Sequence, residues 1–370
     1  MRSLLQRQSM EIPANRKRAS LTPETFEGQN RTPPETVNLW HRIVSVEALG
    51  GDVRRKFDSG KVPRGHEEDW LAQAVHEHLD KRHDVFSANS FVIHPLRFPG
   101  GSIGKLAVNG TINALAISGN RARTFAASLV LEEGFPNEAL GAEVRAIDES
   151  LRRAKVLMAN LEIKRTSRGQ ENDLHIVTVA TGTPFPSLCL DAKYVKPGDK
   201  VLVSGPIGDH GISILLAHAD CALRASLRSD CRSVLSTVES LVSVCGRGVR
   251  WMQVPRRGGV AQALNGLARA RGLAVEISED DIPIRNEVRG ACDLLGMNPL
   301  HLSNEGQFLM IVEQSCAEIA LNTLQGIEGG ESAAIIGRIC EHPAYMVVLH
   351  SRSHAPCILD PARPVAPRIC

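Results

Sequence analysis

The chain has 370 residues, and at roughly 150 residues per domain this length predicts two domains. Lys and Arg number 43 against 41 Asp and Glu, and aromatic residues make up only 4%, so the composition argues against a nucleic-acid-binding protein. No apolar run approaches the roughly 18 residues that cross a bilayer, which argues against a membrane protein.

The cysteine pattern predicts a reducing compartment. None of the nine cysteines forms a C-x-x-C pair, so the zinc-ribbon and thioredoxin patterns are absent. The odd number leaves at least one thiol unpaired in any disulfide scheme. The first 20 residues carry five basic residues but no apolar segment of signal-peptide length. We therefore expect a cytoplasmic protein in which most cysteines act as small buried apolar residues.

The chain begins with a segment that shows no helical or strand period. Residues 1–45 contain seven Lys or Arg, four Glu and four prolines, which predicts a disordered extension or a start codon placed too early. From about residue 66 the apolar spacing becomes regular, and the first predicted helix includes Trp70 and Val75.

Helices and strands then alternate irregularly. The apolar spacing predicts helices at 106–117, 137–159, 209–217, 233–244, 257–271, 285–295 and 317–324. Strands are predicted at 91–93, 124–131, 174–180, 200–203, 273–277, 308–312, 333–339 and 345–349.

This order predicts an α+β fold of two layered domains with a boundary near 185–195, because the elements do not follow a regular βα alternation. We place the domains at 46–185 and 186–350. Residues 351–370 contain four prolines and little that could pack, so we expect an extended, mobile tail.

The tail ends in a thiol. Cys370 follows Arg368 at the end of this proline-rich arm, and a flexible arm that ends in a nucleophile can carry a group between sites. A C-terminal cysteine can also be incidental, and both interpretations stay open on chemistry alone.

Four other segments carry charged residues that could belong to a site. Gly258-Gly259 opens a predicted helix behind Arg256-Arg257, which favours an anion site or an ordinary tight turn. Glu162 and Lys164 lie on one side of an extended segment, as a metal ligand beside a phosphate binder or as a surface ion pair. Asp209 and Glu305 lie in glycine-flanked polar turns, as cleft carboxylates or as caps.

Together these motifs resemble the HypE family of hydrogenase maturation factors, over about residues 70–370. The matching segments are 98–101, 103–106, 131–134, 204–211, 257–260, 304–306 and the closing Pro367-Arg368-Ile369-Cys370. The resemblance implies the two-domain AIR synthase-like (PurM-like) fold with mixed and antiparallel sheets. It also implies an N-terminal domain that dimerises through its sheet and binds ATP beside the second domain.

The resemblance also implies a reaction and partners. The carbamoyltransferase HypF places a carbamoyl group on Cys370, and ATP activates the carbamoyl oxygen as a phosphate ester. Loss of phosphate then leaves a thiocyanate, which supplies cyanide ligands of the nickel–iron site through a HypC–HypD iron scaffold. A homodimer is expected.

The family motifs assign roles to particular residues. Cys370 would carry the substrate, Lys164 would contact phosphate, and Glu305 would act as base or orienting group. Glu162 and Asn89 would hold Mg²⁺. The nucleotide-binding residues implied are Asn89, Asn113, Glu162, Asp209, Arg257, Gly258 and Gly259.

The sequence departs from the family pattern at the expected carboxylates. Asn89 stands where the family has Asp, Ala114 follows Asn113 in place of another, and Val254 replaces a third, so that only Glu162 keeps its carboxylate. Two further hypotheses follow: a non-catalytic family member that acts as a carrier or dimer partner, and a decayed gene product without activity.

Overall fold

The computed structural model describes residues 85–167, 174–218 and 225–361. The predicted extension at 1–45, the helix that includes Trp70, and Cys370 lie outside the described residues. None of the helices in the described ranges is long and apolar enough to cross a membrane.

The first layer is a four-stranded sheet with the strand order β1-β6-β4-β5. Its strands are β1 (Val85–Phe91), β4 (Asn120–Glu132), β5 (Leu157–Thr166) and β6 (Leu174–Pro184). β6 pairs antiparallel with both β1 and β4, whereas β4 and β5 are parallel. The strands β1 and β5 therefore form opposite edges of this sheet. A short hairpin of β2 (Arg97–Phe98) and β3 (Gly101–Ser102) lies between β1 and the first helix.

Two helices cover one face of this sheet, which we call the inner face. They are α1 (Ile103–Ile117) and α2 (Asn137–Ala154), and Phe125, Leu129 and Leu131 of β4 are fully buried in the core on this side. The alternate residues of the strands lie on the outer face, where Phe86 and Val177 are 49% and 39% exposed.

The helix predicted at 137–159 ends five residues early. Lys155 adopts a left-handed conformation with φ 55° and closes α2, and the chain turns at once into β5. The apolar spacing of the helix continues to Met158. The sequence-based prediction therefore runs beyond the helix and into the edge strand. The apolar residues beyond Lys155 instead pair with β4.

The second layer is a seven-stranded sheet with the order β13-β12-β9-β11-β7-β10-β8. In chain order the strands are β7 (Lys200–Val203), β8 (Val249–Gln253), β9 (Ala274–Ser278), β10 (Leu309–Val312), β11 (Ala334–Cys340), β12 (Val347–His350) and β13 (Cys357–Ile358). The helices are α3 (Asp209–Ala217), α4 (Leu235–Cys245), α5 (Gly259–Arg271), α6 (Asn286–Leu295) and α7 (Ala317–Gln325).

Helices pack on both faces at the centre of this sheet. Val201 and Leu309 share a buried cluster with α5, and Met310 shares the other with α4 and α7. That second cluster also contains Phe125 and Leu129, so one continuous core joins the two layers. The sheets change between Pro184 and Lys200, the interval that contains the predicted boundary. These layers confirm the predicted α+β class.

The described part of the tail packs more than its sequence predicts. Cys357 and Ile358 pair with β12, and Leu359 is 5% exposed. Asn265 of α5 donates a hydrogen bond from Nδ2 to the Leu359 carbonyl at 2.8 Å. The expectation that residues 351–370 pack little is wrong at Leu359, whose side chain reaches the α5 core, whereas residues 352–358 are exposed.

Candidate active site

The candidate site is built around the loop 304–307, which carries Glu305 and lies under α1. Asn113 of α1 is fully buried, and its Nδ2 donates to the carbonyls of Glu305 and Arg232, each at 2.8 Å. Its Oδ1 accepts a hydrogen bond from the Val234 amide at 2.8 Å. Both amide hydrogens are thus used within the protein. The side chain of this predicted nucleotide-binding residue therefore connects the loop at 232–234 to the loop at 304–307.

Asp230 holds the same loop from the other side. Its carboxylate accepts hydrogen bonds from the backbone N–H groups of Glu305, Gly306 and Gln307 at 3.1 to 3.2 Å. Three successive N–H groups that converge on one anion form a nest. Burial raises the pKa of Asp230 to about 7, although these hydrogen bonds lower it.

Glu305 itself points to an arginine. Arg256 Nε lies 3.1 Å from Glu305 Oε2, and Arg256 Nη2 donates to the Gly110 carbonyl of α1 at 2.7 Å. The Glu305 side chain is only 11% exposed, and burial raises its pKa while the Arg256 guanidinium lowers it. A desolvated carboxylate next to a cation, with a raised pKa, can act as a general base near neutral pH.

The turn at Gly258-Gly259 opens α5, as the sequence predicts. Both glycines have positive φ, 79° and 60°, and a Cβ at Gly259 would overlap the backbone of Leu300 and Leu302. Arg257 beside this turn is exposed. The anion-binding role of these three residues stays a prediction.

Asp209 is the first residue of α3, and the side chain is nearly buried. Its Oδ2 lies 2.9 Å from Arg285 Nε, whereas its Oδ1 has no hydrogen-bond partner. Burial raises the pKa of this carboxyl. Asn304 Oδ1 accepts the Gly208 N–H at 2.8 Å, so the Asp209 turn and the Glu305 loop are joined directly.

His210 follows Asp209 and is completely buried. Its Nδ1 lies 2.8 Å from Ser229 Oγ, and burial lowers its pKa to about 4, so the ring is neutral at physiological pH.

Sequence reasoning missed Asp230 and the contact that Arg256 makes. Asp230 lies in an irregular segment, and its partners follow 75 to 77 residues later. The only available signal was a polar Ser229-Asp230-Cys231 run without any period. The sequence places Arg256 just before the Gly258-Gly259 turn, but its pairing with Glu305 across 49 residues was not predictable.

The structure does not bring Glu162 and Asn89 together. Asn89 lies on the edge strand β1 and pairs with Thr178 on the inner face, whereas Glu162 lies on the opposite edge strand β5 and pairs with Ser128 on the outer face. Three strand spacings of about 4.8 Å separate them by roughly 14 Å. The pair proposed from the sequence therefore cannot hold one ion within one chain, because strand order and pleat separate them.

The other positions that the family pattern assigns to the metal offer no anionic ligand. The described residues contain no group of three His, Cys, Asp or Glu that could hold a metal. The Nδ2 of Asn89 donates to Ser87 Oγ at 3.0 Å. Ala114 and Val254 offer no oxygen ligand, and Mg²⁺ requires near-octahedral oxygen coordination. Lys164 lies two residues beyond Glu162 on the same outer face, away from Glu305.

Comparison with known proteins agrees with this architecture. Residues 196–350 match the family model "AIR synthase related protein, C-terminal domain". The thiamine monophosphate kinase structure from Aquifex aeolicus superposes with a TM-score of 0.53 at 17% identity, covering 76% of this chain and 90% of that one. The fold is therefore that of the AIR synthase-like proteins, as the sequence predicts.

Closer relatives define the family. The chain is 37% identical to "Carbamoyl dehydratase HypE" of Azotobacter vinelandii, over 80% of this chain and 90% of the relative. It is 36% identical to "Carbamoyl dehydratase HypE" of Escherichia coli K12, over 89% and 100% of the two chains. A structure of HypE in complex with ATP superposes with a TM-score of 0.73 at 33% identity, covering 78% and 87%. The chain belongs to the HypE family of hydrogenase maturation proteins.

Proposed function

We propose that this chain is an ATP-dependent carbamoyl dehydratase that acts on its own C-terminal Cys370. The observation that carries the proposal is Glu305, a buried carboxylate with a raised pKa, on a loop that Asn113 and Asp230 hold in place. Relatives with 36 to 37% identity over at least nine tenths of their length carry the name carbamoyl dehydratase.

The reaction converts an S-carbamoyl group into a thiocyanate. The carbamoyl oxygen attacks the terminal phosphorus of ATP, and ADP leaves. The carbamoyl nitrogen then loses its protons as the C–O bond breaks, and the oxygen departs within inorganic phosphate. The sum is R–S–CO–NH₂ plus ATP giving R–S–CN, ADP and phosphate, and the thiocyanate carbon is destined to become cyanide on the hydrogenase iron.

Glu305 is suited to the proton transfer in this scheme. Its carboxylate is desolvated and keeps one oxygen outside the contact with Arg256 Nε. Cys370 carries the reacting group. The phosphate-binding roles of Lys164, Arg257, Gly258 and Gly259, and the nucleotide roles of Asn89, Asn113, Glu162 and Asp209, form part of the proposal. Mg²⁺ has no role in these steps, because Glu162 and Asn89, which the sequence assigns to it, lie on opposite edges of the sheet.

We propose a homodimer that forms through the outer face of the four-stranded sheet. The exposed apolar side chains Phe86 and Val177 lie on this face, and a second copy would bury them. Lys164 also lies on the outer face, whereas the Glu305 loop contacts α1 on the inner face, so Lys164 and Glu305 of one chain lie on opposite sides of the sheet.

The partners follow from the family. A "HypE-HypF complex" superposes on this chain with a TM-score of 0.72 at 33% identity, covering 75% of this chain and 90% of that one. We propose HypF as the carbamoyl donor protein, a HypC–HypD complex as the acceptor of the cyanide, and the cytoplasm as the location.

The second candidate is a carrier that accepts the carbamoyl group but does not dehydrate it. The separation of Glu162 from Asn89 and the loss of carboxylates at Ala114 and Val254 favour this alternative. It retains the fold, the sheet surface and Cys370.

Intact-protein mass spectrometry separates these functions. We expect the mass of one carbamoyl group to appear on the full chain after incubation with HypF and carbamoyl phosphate, and the mass of one water to be lost after ATP is added. Cys370→Ala should show neither change. Cys357→Ala, which removes an exposed thiol of β13, is the matched control and should behave as the wild type.

Carbamoylation without loss of water would identify a carrier. A wild-type chain that folds but is never modified by an active HypF would reject both functions.

A further inference from the structure

Two positions at which the family pattern predicts metal-binding carboxylates carry apolar side chains instead: Ala114 of α1 and Val254, which precedes Pro255. Val254 is 4% exposed and belongs to the hydrophobic core. The negative charge of a triphosphate would therefore need another source of compensation.

Arg256 is a cation beside Glu305 that can compensate the negative charge of a triphosphate. Its side chain is 33% exposed, and it lies where α1, the edge strand β1 and the Glu305 loop meet. A Cβ at Gly110 would contact both Phe91 of β1 and Arg256 Nη2, so the guanidinium and the edge strand lie against the same turn of α1. Asn89 is two residues from Phe91 and on the same face of the sheet.

The guanidinium has capacity left for an anion. A guanidinium has five N–H donors. Within the described residues, the hydrogen bonds of Arg256 use Nε for Glu305 and one hydrogen of Nη2 for Gly110. Three donors are left on a planar group that is one-third exposed and matches the geometry of two phosphate oxygens.

We propose that Arg256 replaces the divalent cation in this chain, so that the phosphates of a nucleoside triphosphate bind to its guanidinium without metal. This inference rests on the part of the proposed function in which ATP is the substrate. The phosphates use donors that Glu305 leaves free, but their negative charge competes with that of Glu305 for the single positive charge of the guanidinium. Binding of the phosphates weakens the Arg256–Glu305 ion pair, which leaves the Glu305 carboxylate more basic at the moment when a proton has to be removed.

The test is calorimetric titration of the full-length protein with ATP, once in excess EDTA and once in excess Mg²⁺. We expect the wild type to bind in EDTA with a Kd within about threefold of the value in Mg²⁺, because the guanidinium supplies the charge. Arg256→Thr should weaken binding in EDTA by at least about tenfold, the loss of charge-assisted hydrogen bonds.

Arg338→Thr is the matched control. Arg338 makes the same kind of Nε contact, to Glu276 Oε2 at 2.9 Å, on the seven-stranded sheet. Its replacement should leave ATP binding unchanged.

Arg256→Thr leaves Glu305 buried without its partner, which destabilises the fold. A second pair of variants, in which Glu305 is neutral, therefore tests the same binding without this cost. Glu305→Gln removes the competitor, and ATP should bind several-fold more tightly in EDTA. Arg256→Met combined with Glu305→Gln removes the pair together and should lose that binding.

Three results would overturn the inference: binding that occurs only with Mg²⁺, no binding under either condition, or a folded Arg256→Met/Glu305→Gln chain that binds as Glu305→Gln does. The modification state of Cys370, read by mass spectrometry, distinguishes failure of this inference from failure of the proposed function. Dehydration that depends on Mg²⁺ would remove only the inference, and metal-free binding without carbamoylation would remove only the function.

Discussion

Gly306→Ala is expected to destabilise the folded protein by about 3 kcal/mol, because the added methyl group has no space. An ideal Cβ at this position would overlap the backbone carbonyl oxygen of Asp230 and would lie 2.7 Å from Arg232 Cγ. Backbone atoms cannot move aside as a side-chain end can. The loop that presents Glu305 would have to shift, and the hydrogen bonds of its N–H groups to Asp230 would lengthen. Urea unfolding measures the change.

Gly266→Ala is the matched control for this substitution. Gly266 is an exposed residue inside α5, and a Cβ there would meet nothing within 4 Å. The exchange should stabilise the protein by about 0.5 to 1 kcal/mol, as alanine does in a helix. Equal stability of the two variants would mean that the Glu305 loop does not approach Asp230 in the way described.

Asp230→Asn is expected to change how stability depends on pH. The pKa of Asp230 in the folded protein is about 7, above the value of about 3.9 for an unfolded aspartate. Between these values the folded state binds more protons than the unfolded state, so the contribution of Asp230 to stability falls as pH rises. Asp230 is half-buried as a residue, so solvent screening reduces the slope to about 0.5 to 1 kcal/mol per pH unit.

The measurement is the free energy of unfolding of wild type and variant from pH 4 to 8. The wild type should lose stability relative to Asp230→Asn between pH 4 and 7, and the difference should become constant above that range. Asp191→Asn serves as control, since the pKa of this exposed carboxyl is lowered by the Lys193 N–H and its effect is confined to lower pH. Parallel curves for wild type and Asp230→Asn would contradict the raised pKa.

The sequence determined the bounds of helices and strands where turn residues mark the start of an apolar segment. The strand Lys200–Val203 and the helix Asp209–Ala217 have the predicted bounds, because a Pro-Gly turn precedes the strand and a glycine precedes the helix. The terminal Pro-Arg-Ile-Cys and the glycine-flanked turns pointed to the family, which the comparisons confirm.

Elements whose ends depend on distant contacts were predicted less well. The helix after Asn137 ends at Ala154 because Lys155 turns the chain toward β4, although the apolar period continues. Leu359 is buried because α5 lies beneath it, which no pattern within the proline-rich tail records.

The sequence by itself determined the fold class, the family and the residue types available for chemistry. Tertiary structure alone decided which of them meet. Strand order placed Glu162 and Asn89 on opposite edges and faces of one sheet, and loop packing paired Arg256 with Glu305 and Asp230 with the N–H groups of residues 305–307. The physical reason is range: turn and helix preferences act within a few residues, whereas these contacts join groups 49 to 77 positions apart.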